Sequence, residues 1–319
     1  MTSSMYAVSQ RSYGGPEVLE LVETDRPEPG PGEVLVRIRA AAVNPADWKI
    51  RSGDVRRFGE PPFTEQPFTL GLDLSGVVEA VGAEVTRFRP GDAVFGNAFP
   101  PHGAHAQYAV TSEQWLAAVP RGVDHVHAAA LPTVGLTAWQ SLTRAVSLSE
   151  GQRVLIHGAA GGIGHLAVQI AKAQGAYVIG TARTGKHAFL YDLGADEVID
   201  YTQVDFAQAV RDVDIVLDPI ADDYGPRSLA VLAPGGTLID VRGTGPDRST
   251  VREQAAARGL RFVEFGFTPS GTDLESIAEL AEGGALRVSV EKVLPLREAA
   301  EAHRLSEGGR VKGKIVLTV

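Results

Sequence analysis

Apolar and polar positions follow two different rhythms along this chain, and the change falls near residue 125. Before it, apolar runs are short and bracketed by Gly and Pro. Val34-Leu35-Val36-Arg37-Ile38-Arg39 alternates partly like a strand after the turn-forming Pro29-Gly30-Pro31-Gly32. Similar runs lie at 75–81 and 93–95, so the first part predicts a mainly β domain. Beyond the change, β-like runs alternate with amphipathic segments. Val154-Leu155-Ile156-His157 leads through a Gly-rich turn into 162–174, where Ile163, Leu166, Ala167 and Ile170 share one helical face. A strand at 177–180 and a helix at 186–193 follow, the helix closed by Gly194. Strands at 214–217 and 237–240 come next, with 261–265 as a candidate edge strand. Such alternation of near-continuous apolar strands with helices predicts a doubly wound parallel sheet. The tail offers helices at 273–282 and 297–306 and a last strand at 314–317.

A length of 319 residues exceeds what one core usually supports, so two domains are expected. The formal charge of −9 gives no footprint for nucleic acid or an anionic membrane surface. No apolar run reaches the roughly 18–20 residues of a spanning helix, and the N-terminus lacks the pattern of a secretory signal. Cysteine is absent, which removes disulfides, thiolate nucleophiles and thiolate metal ligands together. The expectation is a cytoplasmic protein with no nucleic-acid or membrane partner.

The densest chemistry follows the strand at 154–157. Ala159-Ala160-Gly161-Gly162-Ile163-Gly164 satisfies the spaced-glycine dinucleotide fingerprint if Ala is allowed first. Gly161 lets backbone approach a pyrophosphate, Gly164 lets helix pack on strand, and the helix N-terminus faces the phosphates. Cofactor choice is read after the next strand, where an Asp or Glu would hold the ribose hydroxyls of NAD. Here stands Thr181-Ala182-Arg183-Thr184-Gly185-Lys186, without a carboxylate. Arg183 and Lys186 suit a 2′-phosphate, to which Thr181 and Thr184 can donate, so NADPH is expected.

With these residues in view, the chain resembles the zinc-independent quinone oxidoreductases of the medium-chain dehydrogenase/reductase superfamily over nearly its whole length. The likeness is carried by Ala41-Ala42-Val43-Asn44-Pro45-Ala46-Asp47, Gly71-Leu72-Asp73-Leu74-Ser75-Gly76-Val77-Val78 and Leu131-Pro132-Thr133-Val134-Gly135-Leu136-Thr137-Ala138. Residues 157–164, Leu193-Gly194-Ala195-Asp196 and Pro234-Gly235-Gly236 continue it. The Thr-Gly-Lys bend and Asn-Pro-Ala-Asp-Trp-Lys resemble the enone/alkenal reductase branch. The resemblance implies an α/β protein with a GroES-like, mainly β catalytic domain (1–124 and 267–319) and an inserted Rossmann domain (125–266), the active site lying in the cleft. It implies that Asn44 and Thr137 sit near the nicotinamide, and that Lys186 and Tyr201 approach the adenosine phosphate. Carbonyls near Ile220 and in the turn at Val241-Arg242-Gly243 would contact nicotinamide from the other side. It further implies a homodimer built through the Rossmann edge strand.

Departures bear on the metal. In zinc-dependent relatives a cysteine stands where Asn44 is, and a His-Glu pair where Leu72-Asp73 is. His102 and His105 fall in a Pro/Gly loop without a third ligand, His125 and His127 mark a domain junction, and His157 is expected to pack. The expected chemistry is hydride delivery from NADPH to a quinone or an α,β-unsaturated carbonyl, with no metal. Candidates at the catalytic mouth are Asn44, Asp47, Trp48 and Lys49. Lys49 either stabilises an oxyanion or is a surface lysine; Asp47 either acts or holds its loop; Trp48 is pocket wall or core. Phe265 and Phe267 either line a flat pocket or pack. Two other readings stay open: an enoyl-thioester reductase of a lipid or polyketide pathway, and an NADPH-binding structural or sensing protein resembling ζ-crystallin.

Overall fold

Which strand faces can be buried sets sheet register, and register decides which side chains meet in this chain. The structure, a computed structural model, describes residues 4–54, 67–221, 223–241 and 248–319. It divides into one unit of Met1–Leu136, Thr268–Gly284 and Val288–Val319, and a second of Thr137–Phe267 and Ala285–Arg287. The chain thus has a GroES-like, mainly β unit and a Rossmann-like unit with a parallel sheet.

In the first unit, β1 (Ser4–Gln10), β2 (Glu20–Asp25) and β4 (Phe68–Thr69) form a small sheet in the order β2-β1-β4. The larger sheet uses β3 (Glu33–Val43), β5 (Asp73–Val81), β6 (Ala93–Asn97), β7 (Tyr108–Ser112) and β8 (Leu116–Ala118). Two tail strands complete it, β15 (Val290–Pro295) and β16 (Lys314–Thr318), in the order β15-β16-β3-β5-β6-β8, with β7 also on β3. Val34, Val36 and Ile38 point one way into a core with Leu74, Val78, Val94 and Leu116. That alternation is the expected signature of a half-buried strand. Further along β3 the residues are small, and α2 (His125–Ala129) lies close because Ala129 and Ala130 pack on Ala40 and Ala42. By this packing, residues 125–136 go with the first unit. Its remaining helices are α1 (Pro45–Ser52), α9 (Gly271–Glu282) and α10 (Ala299–Glu307), while α3 (Pro132–Gln140) runs across the division.

In the second unit, β9 (Arg153–Ile156), β10 (Tyr177–Thr181), β11 (Glu197–Ile199), β12 (Val213–Asp218), β13 (Leu232–Asp240) and β14 (Arg261–Glu264) are all parallel. Their order is β11-β10-β9-β12-β13-β14, so the winding reverses between β9 and β12. Ligands of such sheets bind outside the carboxyl ends of the strands at that reversal. The connecting helices are α4 (Gly162–Ala173), α5 (His187–Asp192), α6 (Phe206–Ala209), α7 (Tyr224–Leu229) and α8 (Ser249–Ala257). β9, β10, β12 and β13 arise from apolar runs buried on both faces, as parallel strands require.

The turn from β9 into α4 is possible only because Gly164 lacks a side chain. A Cβ there would stand 2.5 Å from the Gly158 carbonyl oxygen and 2.6 Å from Ala159 Cα, both backbone atoms that cannot swing away. We expect Gly164→Ala to cost about 1–3 kcal/mol as overpacking and to lower the melting temperature. Gly185→Ala, with nothing within 4 Å, is its near-neutral control.

Candidate active site

Register converges four strands of the first unit on one polar cluster. Ile315 of β16 pairs with Val43, Ala42 of β3 pairs with Asp73, and Asp73 of β5 pairs with Asn97. Lys314, Asn44, Asp73 and Asn97 therefore end up side by side at one end of the sheet. The Lys314 ammonium is 3% exposed and donates to the Val43 carbonyl at 3.1 Å and to Asn44 Oδ1 at 2.5 Å. It lies 3.7 Å from Asp73 Oδ2, which also accepts Asn44 Nδ2 at 2.9 Å. The other Asp73 oxygen accepts the Thr133 backbone N–H at 2.8 Å, the Thr133 hydroxyl at 2.6 Å and Asn97 Nδ2 at 3.1 Å. Both Asp73 oxygens thus face donors only, which favours the carboxylate against the upward push of burial. Burial likewise pushes Lys314 down, and Asp73 then Asp47 oppose it.

Asn44 is also the residue from which α1 departs. Asp47, one turn in, accepts the Asn44 backbone N–H at 2.7 Å through Oδ2, and Pro45 starts the helix at a position with no donor to lose. Asp47 is fully buried, and burial lifts its carboxyl to about 7. The Gly71 backbone N–H also acts on this carboxyl and, like that of Asn44, opposes the upward push of burial. Lys49, expected either at the surface or at the chemistry, is buried with Nζ 5.7 Å from the Trp48 ring centre. Trp48 is half-buried, and its indole N–H lacks a partner among the described residues.

In the second unit, the glycine turn is held from beneath. The Thr181 hydroxyl is buried, accepts the Gly158 N–H at 3.2 Å and sits 3.3 Å from His157 Nδ1. Thr181 therefore braces the turn instead of presenting its hydroxyl to a phosphate, as its place at the strand end suggested. His157 Nε2 pairs with the Ser228 hydroxyl at 3.0 Å, and the ring meets Phe206 and Tyr224 edge-on. Burial lowers its pKa to about 3, so it packs as a neutral ring, as expected. Above the turn, Gly161 is the N-cap of α4, and a Cβ there would meet only the Gly158 carbonyl oxygen, at 3.2 Å. Gly162, Ile163 and the buried Gly164 form the first turn, with Ala159 buried beneath. These residues fit a dinucleotide: open backbone at a helix N-terminus suits a pyrophosphate.

The bend after β10 contains a group the linear sequence hid. Asp200, just past β11, accepts the Thr184 backbone N–H at 2.7 Å and the Thr184 and Thr202 hydroxyls, the latter at 2.6 Å. Hydrogen bonds from Thr184 and then Thr202 hold its carboxyl far below the usual range. Arg183 Nε donates to the Tyr201 hydroxyl at 3.2 Å, which joins two residues expected at the same phosphate. Lys186 closes the short turn between them and α5. At the ends of β12 and β13, Asp218 accepts the N–H groups of Ile220 and Ala221, and Asp240 lies 2.9 Å from Arg248. Burial raises Asp218 to about 6. Neither carboxylate had a motif to mark it; position at the carboxyl end of a parallel strand was the available signal. Ile220 is exposed beside Gly158, Thr137 is buried, and Phe265 and Phe267 are half-buried. Gly243 lies outside the described residues.

Fold and site together define a medium-chain dehydrogenase/reductase. Residues 30–121 match the alcohol dehydrogenase GroES-like domain, and residues 193–317 match the zinc-binding dehydrogenase family. The quinone oxidoreductase of Pseudomonas aeruginosa is 35% identical, aligned over 96% of this chain and 97% of its own. The solved quinone oxidoreductase of Coxiella burnetii superposes with a TM-score of 0.92 at 36% identity, over 99% of this chain and 100% of that one. A mycobacterial protein, Rv1454c, solved in complex with NADPH, superposes with a TM-score of 0.88 at 32% identity, over 99% and 100%. The chain belongs to the quinone oxidoreductases of the medium-chain dehydrogenase/reductase superfamily, and it is an oxidoreductase.

A zinc ion does not suit the residues at the head of α1. The donor there is the neutral Asn44 amide, its oxygen already facing the Lys314 ammonium, and both oxygens of Asp73 are engaged. Among the described residues no three His, Asp or Glu side chains gather as a metal cluster.

The buried histidines make stability depend on pH. His157 and His105 are lowered to about 3 and about 4 by burial, while in the unfolded chain they titrate near 6.5. Between those values the unfolded state binds more protons, so each costs about 1.4 kcal/mol of stability per pH unit as pH falls from 6.5. The stability advantage of the native chain over His157→Gln should therefore shrink between pH 6.5 and 4.5, read from urea midpoints.

Proposed function

We propose that this chain binds NADPH on its second unit and reduces a small electron-poor acceptor, a quinone or the C=C of an enone, without a metal. The observation that carries this reading is the pairing of an open glycine turn at the N-terminus of α4 with a cationic bend after β10. Asp200 is ionised beside that bend and acts on Arg183, but Arg183 and Lys186 together outnumber it, and the Arg183 Nε hydrogen bond goes to the Tyr201 phenol. Arg183, Lys186 and Tyr201 would hold the 2′-phosphate, and the backbone of 159–164 the pyrophosphate. Ile220 and Thr137 would border the nicotinamide, with Phe265 and Phe267 toward the acceptor. The relative solved with NADPH supports the nucleotide, and those named quinone oxidoreductase support the acceptor. The cofactor supplies hydride; the protein supplies orientation and charge.

Asn44, with Asp47, Trp48 and Lys49 behind it on α1, would serve the acceptor side. The reduced acceptor bears negative charge until it is protonated, and polar hydrogens held in place lower that barrier. Among the described residues β14 pairs with β13 alone, so its outer edge suits a second copy, and a homodimer is expected. No helix among the described residues is long and apolar enough to cross a membrane, and a cytoplasmic site of action fits this reading.

NADPH absorbance followed over a panel of quinones, enones and enoyl thioesters should fall with the first two classes. Inertness to the whole panel would remove the proposal. Arg183→Ala with Lys186→Ala should weaken NADPH binding about 10–100-fold and leave NADH nearly unchanged, measured by nicotinamide fluorescence. Exhaustive dialysis against a chelator should leave turnover intact; loss restored by zinc would overturn the metal-free reading.

A further inference from the structure

The buried cluster of the first unit holds more charge than it can neutralise. Asp73 and Asp47 supply two carboxyl groups, Lys314 supplies one amine that both act on, and none is appreciably exposed. Asp73 from β5 and Asp47 from α1 both act on Lys314, and Thr133 and Asn97, which donate to or border Asp73, are neutral. With all three ionised, these groups sum to one negative charge away from water, which is unfavourable. Uptake of one proton relieves it. Asp73 is surrounded by donors and gains nothing from it. Asp47 is engaged by fewer donors, the backbone N–H groups of Asn44 and Gly71, and burial lifts it to about 7, so it is the carboxyl that takes up the proton more readily.

Lys314 also fixes Asn44. An amide reads almost the same when flipped, and only its partners decide which end carries N–H. Here Oδ1 faces an ammonium, which only donates, and Nδ2 faces a carboxylate, which only accepts. The flipped amide would point N–H at the ammonium and oxygen at the carboxylate, two repulsive contacts. The second N–H of Nδ2 is thereby held in one direction.

We propose that Lys314 is a positioning residue for the reduction: a resident ammonium that orients the Asn44 amide and, together with Asp73, sets the proton affinity of Asp47. The effect on turnover rests on the reading above, in which Asn44 serves the acceptor. The electrostatic part concerns the free protein and stands apart from it.

The test uses the full chain labelled with ¹³C at aspartate carboxyls, with Asp47→Asn assigning the resonance. Wild type should show Asp47 titrating near neutral pH. Lys314→Met removes a positive neighbour and should move that titration up; Asp73→Asn removes a negative neighbour and should move it down. The double variant Lys314→Met with Asp73→Asn, which leaves no unpaired buried charge, should bring it back toward wild type. In steady state, Lys314→Met and the double variant should both lose about a hundred-fold in kcat, with the NADPH Kd within about two-fold of wild type. Titration shifts of one sign or none overturn the electrostatic part, and a loss of NADPH binding equal to the loss of kcat, as a merely structural lysine would give, overturns the positioning role. So does wild-type kcat in Lys314→Met. If the wild type reduces nothing in the acceptor panel, the functional reading fails while the opposed titration shifts still decide the electrostatic claim.

Discussion

Three ionisable groups withdrawn from water at one end of a β-sheet constrain the whole first unit. Leaving any of Lys314, Asp73 or Asp47 unmatched would cost several kcal/mol, comparable with the net stability of an ordinary domain. The cluster is tolerable only if β16, β3, β5 and β6 keep their register to the residue, because a slip of one position sends every side chain to the opposite face. The apolar core built from Val34, Val36, Leu74 and Val94 supplies the driving force, and the cluster supplies the uniqueness. Stability and site geometry are thus two readings of one set of pairings.

The second unit solves a different problem with neutral groups. Its turn after β9 must expose backbone N–H groups at a helix start while the chain reverses tightly. Glycine at 164 permits the close approach, and the Thr181–His157–Ser228 row supports the turn from below. The histidine in that row stays neutral because burial strips it of charge, so no positive ring competes with the helix terminus above.

Much of this was legible in the sequence, and the parts that were not share a cause. Strand and helix alternation after residue 150 announced the parallel sheet, since such strands are buried on both faces and read as unbroken apolar runs. Gly161 and Gly164 were readable because glycine is demanded by geometry within a few residues. Asp200 escaped notice because it enters the bend from the next strand, and local reading of Thr181 to Lys186 finds no carboxylate. Thr181 was read outward for the same reason: its buried partners, Gly158 and His157, lie on β9 and its turn. Lys314 looked like the polar first residue of an apolar strand; only its distant partners give it meaning. Sequence shows what a segment is. It shows poorly what that segment will be placed against.

Delivery of Lys314 by the last strand has a consequence for biosynthesis. Asp73 and Asn44 leave the ribosome early, whereas the lysine that balances them follows after the entire Rossmann segment. The second unit is nearly contiguous and can consolidate while translation continues, as N-terminal-to-C-terminal synthesis allows. The first must wait for its countercharge, with β3 lacking its β16 neighbour until residues 314–318 have been made. The polar centre therefore matures only after the Rossmann segment has been made.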